Sequence, residues 1–266
     1  MNTNSKGTAL ITGASSGIGA IYADRLARRG FDLILVARNR ERLNDLANRL
    51  ADETGRAIEV VPADLGKKED LKRIEALLQS DASITVLINN AGVGATAPLL
   101  ASDVDKMEDM ITLNVSALAR LTYAAAPGFV ARGTGTIINI ASIVGVAPEL
   151  LNGVYGGTKA FVLAFTLSLQ KELADNNIRI QAVLPGATAT DFWGIAGTPL
   201  DHVPSEIVMR AEDMVDAALA GLDQGEVITI PALPDAGDWA AYEAARQKLM
   251  PNLSRSAPAA RYNVGG

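Results

Sequence analysis

The sequence predicts an α/β fold in which helices cover both faces of a parallel sheet of about seven strands. Short β-branched runs alternate with segments of helical periodicity along most of the chain, a pattern typical of parallel strands joined by crossover helices. No internal repeat or long linker interrupts this alternation. With 266 residues, 48% of them hydrophobic, the chain is long enough for a single domain with a sizeable core.

The elements follow in order from these local patterns. Strands are predicted at 8–12, 32–37, 57–61, 84–89, 135–142, 178–184 and 227–231, and helices at 18–29, 41–52, 67–79, 103–131, 154–175 and 212–224. Right-handed crossovers would wind these strands into a Rossmann-like, doubly wound sheet. Residues 187–209 are predicted to form a mobile substrate loop carrying an exposed Phe192-Trp193 pair, and residues 235–266 a C-terminal extension.

Composition excludes several classes of site. The chain has no cysteine, and His202 is its only histidine, so we expect no disulfide, no thiolate chemistry and no metal site. A net charge of −6 argues against nucleic acid or an anionic membrane as a partner. No apolar run reaches membrane-spanning length and the first residues are polar, so we expect a cytoplasmic protein.

The loop after the first predicted strand is rich in glycine. It reads Gly-x-x-x-Gly-x-Gly and leads into the first helix, with Gly13, Ser15, Ser16, Gly17, Ile18 and Gly19 as candidate cofactor-binding residues. Such a loop lets the backbone approach a pyrophosphate whose charge rests on the helix N-terminus. A plain tight turn is the alternative, but the position in the first βα unit favours a dinucleotide site.

The end of the second strand predicts which dinucleotide is bound. NAD sites usually place a carboxylate there for the ribose 2′-hydroxyl, whereas this chain has Arg38 followed by Asn39. An Arg binds a 2′-phosphate by charge-assisted hydrogen bonds, so we expect NADP(H). The alternative is that Arg38 is a solvated charge and Asn39 only a helix cap.

Further candidates follow the later strands. Asp64 and Leu65 could contact an adenine amino group, although a turn Asp explains them nearly as well. Amide and small residues after the fourth strand would let the backbone approach the cofactor. A Pro-Gly pair and two threonines follow the sixth strand, and these could hold the carboxamide of the cofactor. These candidates are Asn90, Ala91, Gly92, Pro185, Gly186, Thr188 and Thr190.

Tyr155 and Lys159 are spaced to lie on one face of a helix. At about 4 Å and an effective dielectric of about 20, the ammonium would stabilise the phenolate by roughly 4 kcal/mol and lower the Tyr pKa from about 10 toward roughly 7. Such a Tyr can exchange a proton with an alcohol oxygen. Ser142 ends the fifth strand on the ligand side, and Asn114 lies unusually inside an apolar helix.

Together these residues resemble the short-chain dehydrogenase/reductase family, in its NADP-preferring carbonyl reductase form. The similarity runs from about residue 8 to about residue 231 and is carried by TGASSGIG at 12–19, NNAG at 89–92, Asn114, Ser142, Tyr155-x-x-x-Lys159 and PG at 185–186. It implies a nicotinamide cofactor bound also by Tyr155 and Lys159, and hydride transfer at an alcohol or carbonyl carbon. It further implies a homotetramer or homodimer built on the two long helices.

The resemblance also implies individual roles. Tyr155 would donate the proton, Ser142 would position the carbonyl oxygen, and Lys159 would lower the Tyr pKa and hold the nicotinamide ribose. Asn114 would anchor a water that links Lys159 to solvent. Relatives that prefer NADP often carry a second basic residue in the glycine loop, where this chain has none, so its preference for NADPH is expected to be less strict.

The substrate is predicted to be a small molecule, a hydrophobic ketone or aldehyde. The candidate pocket residues are mostly apolar: Gly94, Ser142, Ile143, Val144, Leu150, Phe192 and Trp193. A non-catalytic NADP(H)-sensing scaffold, or an epimerase or dehydratase on the same fold, remain alternatives. The intact Ser, Tyr, Lys and Asn argue against a pure sensor, and the chain length leaves no room for the added substrate domain usual in the epimerases.

Overall fold

The computed structural model describes residues 5–264. The chain divides after Pro231 into two compact units, and the first contains the whole predicted α/β region. Its central sheet has seven parallel strands in the order β3-β2-β1-β4-β5-β6-β9. This confirms the doubly wound, Rossmann-like sheet that the sequence predicts.

The strands and helices have the following bounds. The strands are β1 (Thr8–Thr12), β2 (Asp32–Ala37), β3 (Ile58–Pro62), β4 (Ile84–Asn89), β5 (Gly135–Ile140), β6 (Ile178–Val183), β7 (Thr188–Ala189), β8 (Met209–Arg210) and β9 (Ile228–Thr229). The helices are α1 (Gly17–Arg28), α2 (Arg40–Thr54), α3 (Lys68–Ser80), α4 (Val104–Ile111), α5 (Leu118–Arg132), α6 (Gly153–Glu172), α7 (Phe192–Ala196), α8 (Ala211–Asp223) and α9 (Ala236–Leu249).

Two apolar layers hold the sheet between its helices. On one face α1, α2 and α8 pack against the strands through a cluster that includes Tyr22, Leu43 and Leu219. On the other face α3 and α5 do so through a cluster that includes Ile74 and Phe129. Because both faces are covered, the central strands are buried almost throughout, which explains their continuous apolar runs.

The strand order fixes where a ligand can bind. β1 lies between β2 and β4. The chain builds one half of the sheet outward from β1 to β3 and then crosses back to β4, from which it builds the other half. The carboxyl ends of β1 and β4 therefore border the crevice at the switch point, where open α/β sheets bind their ligands.

Three local features differ from the predicted elements. The helix predicted at 103–131 contains a π-helical stretch at Thr112–Ala117, between α4 and α5. The last strand spans only Ile228–Thr229. The predicted substrate loop contains α7, and β7 pairs with β8 to close its two ends into a separate two-stranded sheet.

The second unit, residues 232–266, begins three positions before the predicted C-terminal extension. Its main element is α9, which Asp235 caps by accepting a 2.7 Å bond from the Gly237 N–H. Among residues 5–264, no helix combines the length and the apolar character needed to cross a membrane.

Candidate active site

A cavity of about 740 Å³ lies at the carboxyl ends of the strands. It brings together most of the residues that the sequence singles out. These are Gly13, Ser15, Ser16, Gly17, Ile18, Arg38, Asn39, Asp64, Leu65, Asn90, Ala91, Gly92, Ser142, Ile143, Val144, Leu150, Tyr155, Lys159, Pro185, Gly186, Thr188, Thr190, Phe192 and Trp193. Gly19, Gly94 and Asn114 lie behind this lining and contribute through packing and hydrogen bonds.

The glycine loop is locked against the end of β4. Gly13 has a φ of +65°, and a Cβ there would lie 2.8 Å from the Asn90 Nδ2. A Cβ on Gly19 would lie 2.3 Å from the Gly13 carbonyl oxygen. The Thr12 hydroxyl accepts bonds of 3.0 Å from the N–H groups of Asn90 and Ala91, and Asn90 Nδ2 donates back to the Thr12 carbonyl at 2.9 Å. The backbone path of the loop therefore leaves no room for a side chain at Gly13 or Gly19.

The start of α1 is suited to an anionic group. Within residues 5–264, the Ser16 side chain makes no capping bond and the first turn of α1 has no acidic residue. The first N–H groups of a helix lack intrahelical partners and carry the positive end of the helix dipole. Because Ser15, Ser16, Gly17 and Ile18 line the cavity, the residues present fit the pyrophosphate of a dinucleotide.

The residues after β2 and β3 have structural roles as well as a place in the cavity wall. Asn39 caps α2 by accepting a 3.0 Å bond from the Arg42 N–H. Asp64 closes a turn by accepting a 3.1 Å bond from the Gly66 N–H. The capping and turn interpretations of Asn39 and Asp64 are therefore correct, and contact with a cofactor stays a prediction for both.

Arg42 lines the same part of the cavity and the sequence reasoning missed it. Its guanidinium lies 3.5 Å from the Asp191 carboxylate, where both side chains are more than half exposed. Its position in the first turn of α2, shortly after Arg38, was the available signal. The cavity thus has two cations near the end of β2, although the glycine loop has none.

Ser142, Tyr155 and Lys159 meet at the end of β5. Ser142 follows that strand, whereas Tyr155 and Lys159 lie in the first two turns of α6. All three are buried, with exposed fractions of 9%, 5% and 7%. The Ser142 hydroxyl donates a 3.4 Å bond to the Pro185 carbonyl oxygen and accepts a 3.3 Å bond from the Val144 N–H. The Lys159 ammonium donates a 2.8 Å bond to the Ile140 carbonyl oxygen.

The pKa values of this group correct one prediction. Burial raises the pKa of Tyr155 to about 12, and the neighbouring Ser142 hydroxyl offsets only part of that effect. The Lys159 Nζ lies 5.8 Å from the centre of the Tyr155 ring and is bonded to a carbonyl, so it does not lower the Tyr pKa toward 7 as predicted. Burial also lowers the pKa of Lys159 to about 8, because desolvation disfavours each charged form.

Asn114 sits in the π-helical stretch and is fully hydrogen-bonded. Its Oδ1 accepts a 2.9 Å bond from the Val93 N–H, and its Nδ2 donates to the Val93 carbonyl at 2.8 Å and to the Thr158 hydroxyl at 3.2 Å. It thereby ties the segment after β4 to α6, one residue before Lys159. These bonds satisfy the Asn114 side chain within the core, and the anchoring of a water stays a prediction.

The substrate side of the cavity is apolar. The Phe192 ring lies 5.7 Å from the Tyr155 ring, and Trp193 donates an indole bond of 3.0 Å to the Thr188 carbonyl. Both aromatic side chains are half-buried rather than exposed as predicted, because α7 folds onto the site. Further apolar lining residues that carry no motif were missed by the sequence reasoning, among them Val93, Leu151, Ile195 and Ile207.

Comparisons with known proteins agree on the family of this fold. The family model described as short chain dehydrogenase matches residues 7–198. The chain is 36% identical over 208 residues to the very-long-chain 3-oxoacyl-CoA reductase of Anas platyrhynchos, a match that covers 76% of this chain and 66% of that protein. The match thus spans just under two thirds of the duck enzyme.

Two solved structures superpose closely. A short-chain dehydrogenase from Sphingobium yanoikuyae in complex with NADPH gives a TM-score of 0.92 at 50% identity, covering 95% of this chain and 98% of that one. A bulky-bulky ketone specific alcohol dehydrogenase from Comamonas testosteroni gives 0.90 at 45% identity, covering 98% and 99%. This chain belongs to the short-chain dehydrogenase/reductase family. The family is a class of oxidoreductases that use a nicotinamide cofactor.

Proposed function

We propose that this protein is an NADP(H)-dependent carbonyl reductase or alcohol dehydrogenase acting on hydrophobic ketones. The observation that carries the proposal is the shared cavity. The Tyr155 and Ser142 hydroxyls face an apolar wall in the same cavity that Arg38 and Arg42 line. A proton donor, a second oxygen-binding hydroxyl and a cationic subsite are the groups that such a reaction requires.

The preference for NADP(H) rests on the charges after β2. Arg38 and Arg42 line the cavity where a carboxylate would favour NAD. Two guanidinium groups would bind a 2′-phosphate by charge-assisted hydrogen bonds, and Arg42 compensates for the neutral glycine loop. The Sphingobium relative binds NADPH, which supports this choice.

The chain's own residues supply binding and proton transfer. A bound nicotinamide supplies the hydride that reduces the carbonyl carbon. The Ser142 and Tyr155 hydroxyls hold the carbonyl oxygen and stabilise the negative charge that develops on it. Tyr155 then passes its phenolic proton to that oxygen, and Lys159, bound to the Ile140 carbonyl oxygen, holds this part of α6 against β5.

The burial of Tyr155 keeps it in the protonated form that carbonyl reduction requires. With its pKa raised to about 12, Tyr155 keeps its proton throughout the physiological range and is always ready to donate. An alkoxide is a stronger base than a phenolate, so the transfer to the reduced substrate is downhill. Oxidation of an alcohol needs the phenolate, and would require a bound cofactor charge to lower this pKa.

The substrate is proposed to be a ketone with apolar groups on both sides. The substrate side of the cavity consists of aliphatic and aromatic side chains from four segments: Val93, Val144, Leu150, Leu151, Phe192, Trp193, Ile195 and Ile207. The Comamonas relative is specific for ketones with two bulky groups, which supports this class. An acyl-CoA, the substrate named for the duck relative, is the second candidate.

Self-association through α5 and α6 stays a proposal. Tyr123 on α5 stacks on Phe165 of α6, which stacks on Phe161, with ring centres 6.3 Å and 5.5 Å apart. Tyr123 is 73% exposed, so this aromatic row is suited to a helix pair of a second copy. Light scattering should give a dimer or tetramer mass.

A cytoplasmic location stays a prediction from the sequence alone.

A panel of carbonyl compounds tests the proposed function. Aryl ketones with two bulky groups, a 3-oxoacyl-CoA, a sugar and an anionic keto acid are offered with NADPH and with NADH, and absorbance loss at 340 nm is followed. We expect the highest kcat/KM for the bulky ketones with NADPH. Activity confined to the keto acid or the sugar would contradict the substrate class, and no turnover with either cofactor would favour the sensor alternative.

A further inference from the structure

Asn152 caps the helix that carries the catalytic groups. Its Oδ1 accepts bonds from the N–H groups of Val154 at 2.9 Å and Tyr155 at 3.2 Å. Tyr155 is the third residue of α6, so its own backbone N–H is held by this cap. A single side chain thus fixes both the start of the helix and the backbone of the proposed proton donor.

The other end of the same amide reaches a different segment. Asn152 Nδ2 donates to the Ala97 carbonyl oxygen at 2.7 Å and to the Ser102 hydroxyl at 3.1 Å. The side chain is 4% exposed. A cap alone needs only the acceptor oxygen, since Ser or Asp serves as well as Asn. The two donor bonds are therefore an additional function of this residue.

The segment that Asn152 binds also holds the substrate loop. Thr96 donates to the Ala196 carbonyl through its N–H and through its hydroxyl, each at 3.0 Å, and its hydroxyl accepts from Thr198 at 2.9 Å. Two residues earlier, a Cβ on Gly94 would lie 2.2 Å from the Phe192 ring. Residues 94–97 thus contact both ends of α7.

We propose that Asn152 is a positioning residue that couples Tyr155 to the substrate loop through the segment 94–97. Its acceptor oxygen orients the first turn of α6, and its donors fix that turn relative to the segment on which α7 rests. The distance between the Tyr155 hydroxyl and a ketone lying against Phe192 then depends on this one amide. A displacement of about 1 Å in such a geometry can lower a rate by roughly 100-fold. This inference rests on the proposed role of Tyr155.

The variant Asn152→Ser separates the bridge from the cap. Ser keeps an oxygen that can cap α6 but has no group that reaches Ala97. Asp103→Ser is the matched control, because Asp103 caps α4 by accepting from the N–H groups of Asp105 and Lys106. Each variant is compared with the wild type by kcat, ketone KM, NADPH Kd from fluorescence, and Tm.

We expect Asn152→Ser to lower kcat at least tenfold, with the NADPH Kd within twofold of the wild type, measured well below Tm. Asp103→Ser should leave kcat within twofold. A purely structural role would lower Tm and leave kcat per NADPH-binding site unchanged, and that result would overturn the inference.

A second variant keeps the inference testable if Asn152→Ser folds poorly. Thr96→Val removes only the side-chain bonds to Ala196 and Thr198, and should raise the ketone KM several-fold, with Thr96→Ser restoring it. Where Asn152→Ser does fold, combining it with Thr96→Val should give a loss of kcat/KM smaller than the product of the single losses. Multiplicative losses, or an unchanged KM in Thr96→Val, would exclude coupling through residues 94–97.

The outcome for Tyr155→Phe distinguishes the two proposals. If that variant keeps near wild-type turnover, the proposed function fails. If it loses turnover while Asn152→Ser keeps it, only the positioning role of Asn152 fails.

Discussion

The Lys159 ammonium donates a 2.8 Å hydrogen bond to the Ile140 carbonyl oxygen, the last residue of β5. Ile140 precedes Ser142 by two residues, and Lys159 follows Tyr155 by one helical turn. The bond therefore holds the helix that carries Tyr155 against the strand that presents Ser142.

The buried lysine makes stability depend on pH. Its pKa is lowered from 10.5 to about 8 in the folded protein, so between these values the unfolded chain binds more protons than the folded one. The contribution of Lys159 to stability should therefore rise with pH in this window, by about 2 kcal/mol between pH 8 and pH 10. Denaturant unfolding of the cofactor-free protein should show the rise, and Lys159→Met should abolish it. An equal rise in stability in the wild type and in Lys159→Met would contradict the assignment of this pH dependence to Lys159.

Tyr155→Phe should remove the proton donor and little else. General acid catalysis contributes typically 10²- to 10⁴-fold, so kcat should fall by about that factor, while the NADPH Kd changes by less than about threefold. Tyr123→Phe, at an exposed position on α5, is the control and should keep full turnover. Steady-state kinetics and fluorescence titration give both quantities.

Arg38→Ala should weaken the discrimination between the cofactors. Hydrogen bonds to charged groups contribute about 1.5–3 kcal/mol, so kcat/KM for NADPH should fall roughly 10- to 100-fold, with NADH almost unaffected. Arg40 is also exposed and lies two residues further on, at the start of α2 outside the cavity wall. Arg40→Ala should therefore leave the ratio of kcat/KM for NADPH to that for NADH unchanged. An equal fall of this ratio in Arg38→Ala and Arg40→Ala would indicate only a general loss of positive charge.

Gly94→Ala should disturb the substrate loop without disturbing the fold. The new Cβ would lie 2.2 Å from the Phe192 ring, so the ring must move and the ketone KM should rise several-fold. Gly157→Ala is the contrast, because within the described residues nothing lies within 4 Å of its Cβ. Gly157 is exposed inside α6, where Ala is favoured by about 0.5–1 kcal/mol, so its Tm should rise. Thermal melts and ketone kinetics on both variants check this pair.

The sheet was predictable because its signals are local. Alternating apolar strands and amphipathic helices mark each βα unit, and the right-handed crossover rule leaves few ways to join them. The π-helical stretch at Thr112–Ala117 has no such signal. It depends on Asn114 reaching the Val93 backbone and Thr158, and these contacts lie far apart in the sequence.

The candidate catalytic residues were predictable from type and spacing, but their electrostatics were not. The spacing of Tyr155 and Lys159 correctly places both on one helix, and it implies a close charge pair. Burial of both side chains and the Ile140 carbonyl oppose that pairing. A sequence does not give the depth of a side chain or the acceptor at its tip, which is why the predicted pKa direction for Tyr155 was wrong.

The sequence by itself determined the class of fold, the glycine loop, and the identities of Ser142, Tyr155 and Lys159, because each depends on residue type at short spacing. Only the tertiary structure decided what surrounds them. It brought Arg42 into the cavity, folded Phe192 over Gly94 beside Tyr155, and placed the Asn152 amide between two loops. These relationships join residues dozens of positions apart, and such contacts arise from packing of whole elements rather than from any local pattern.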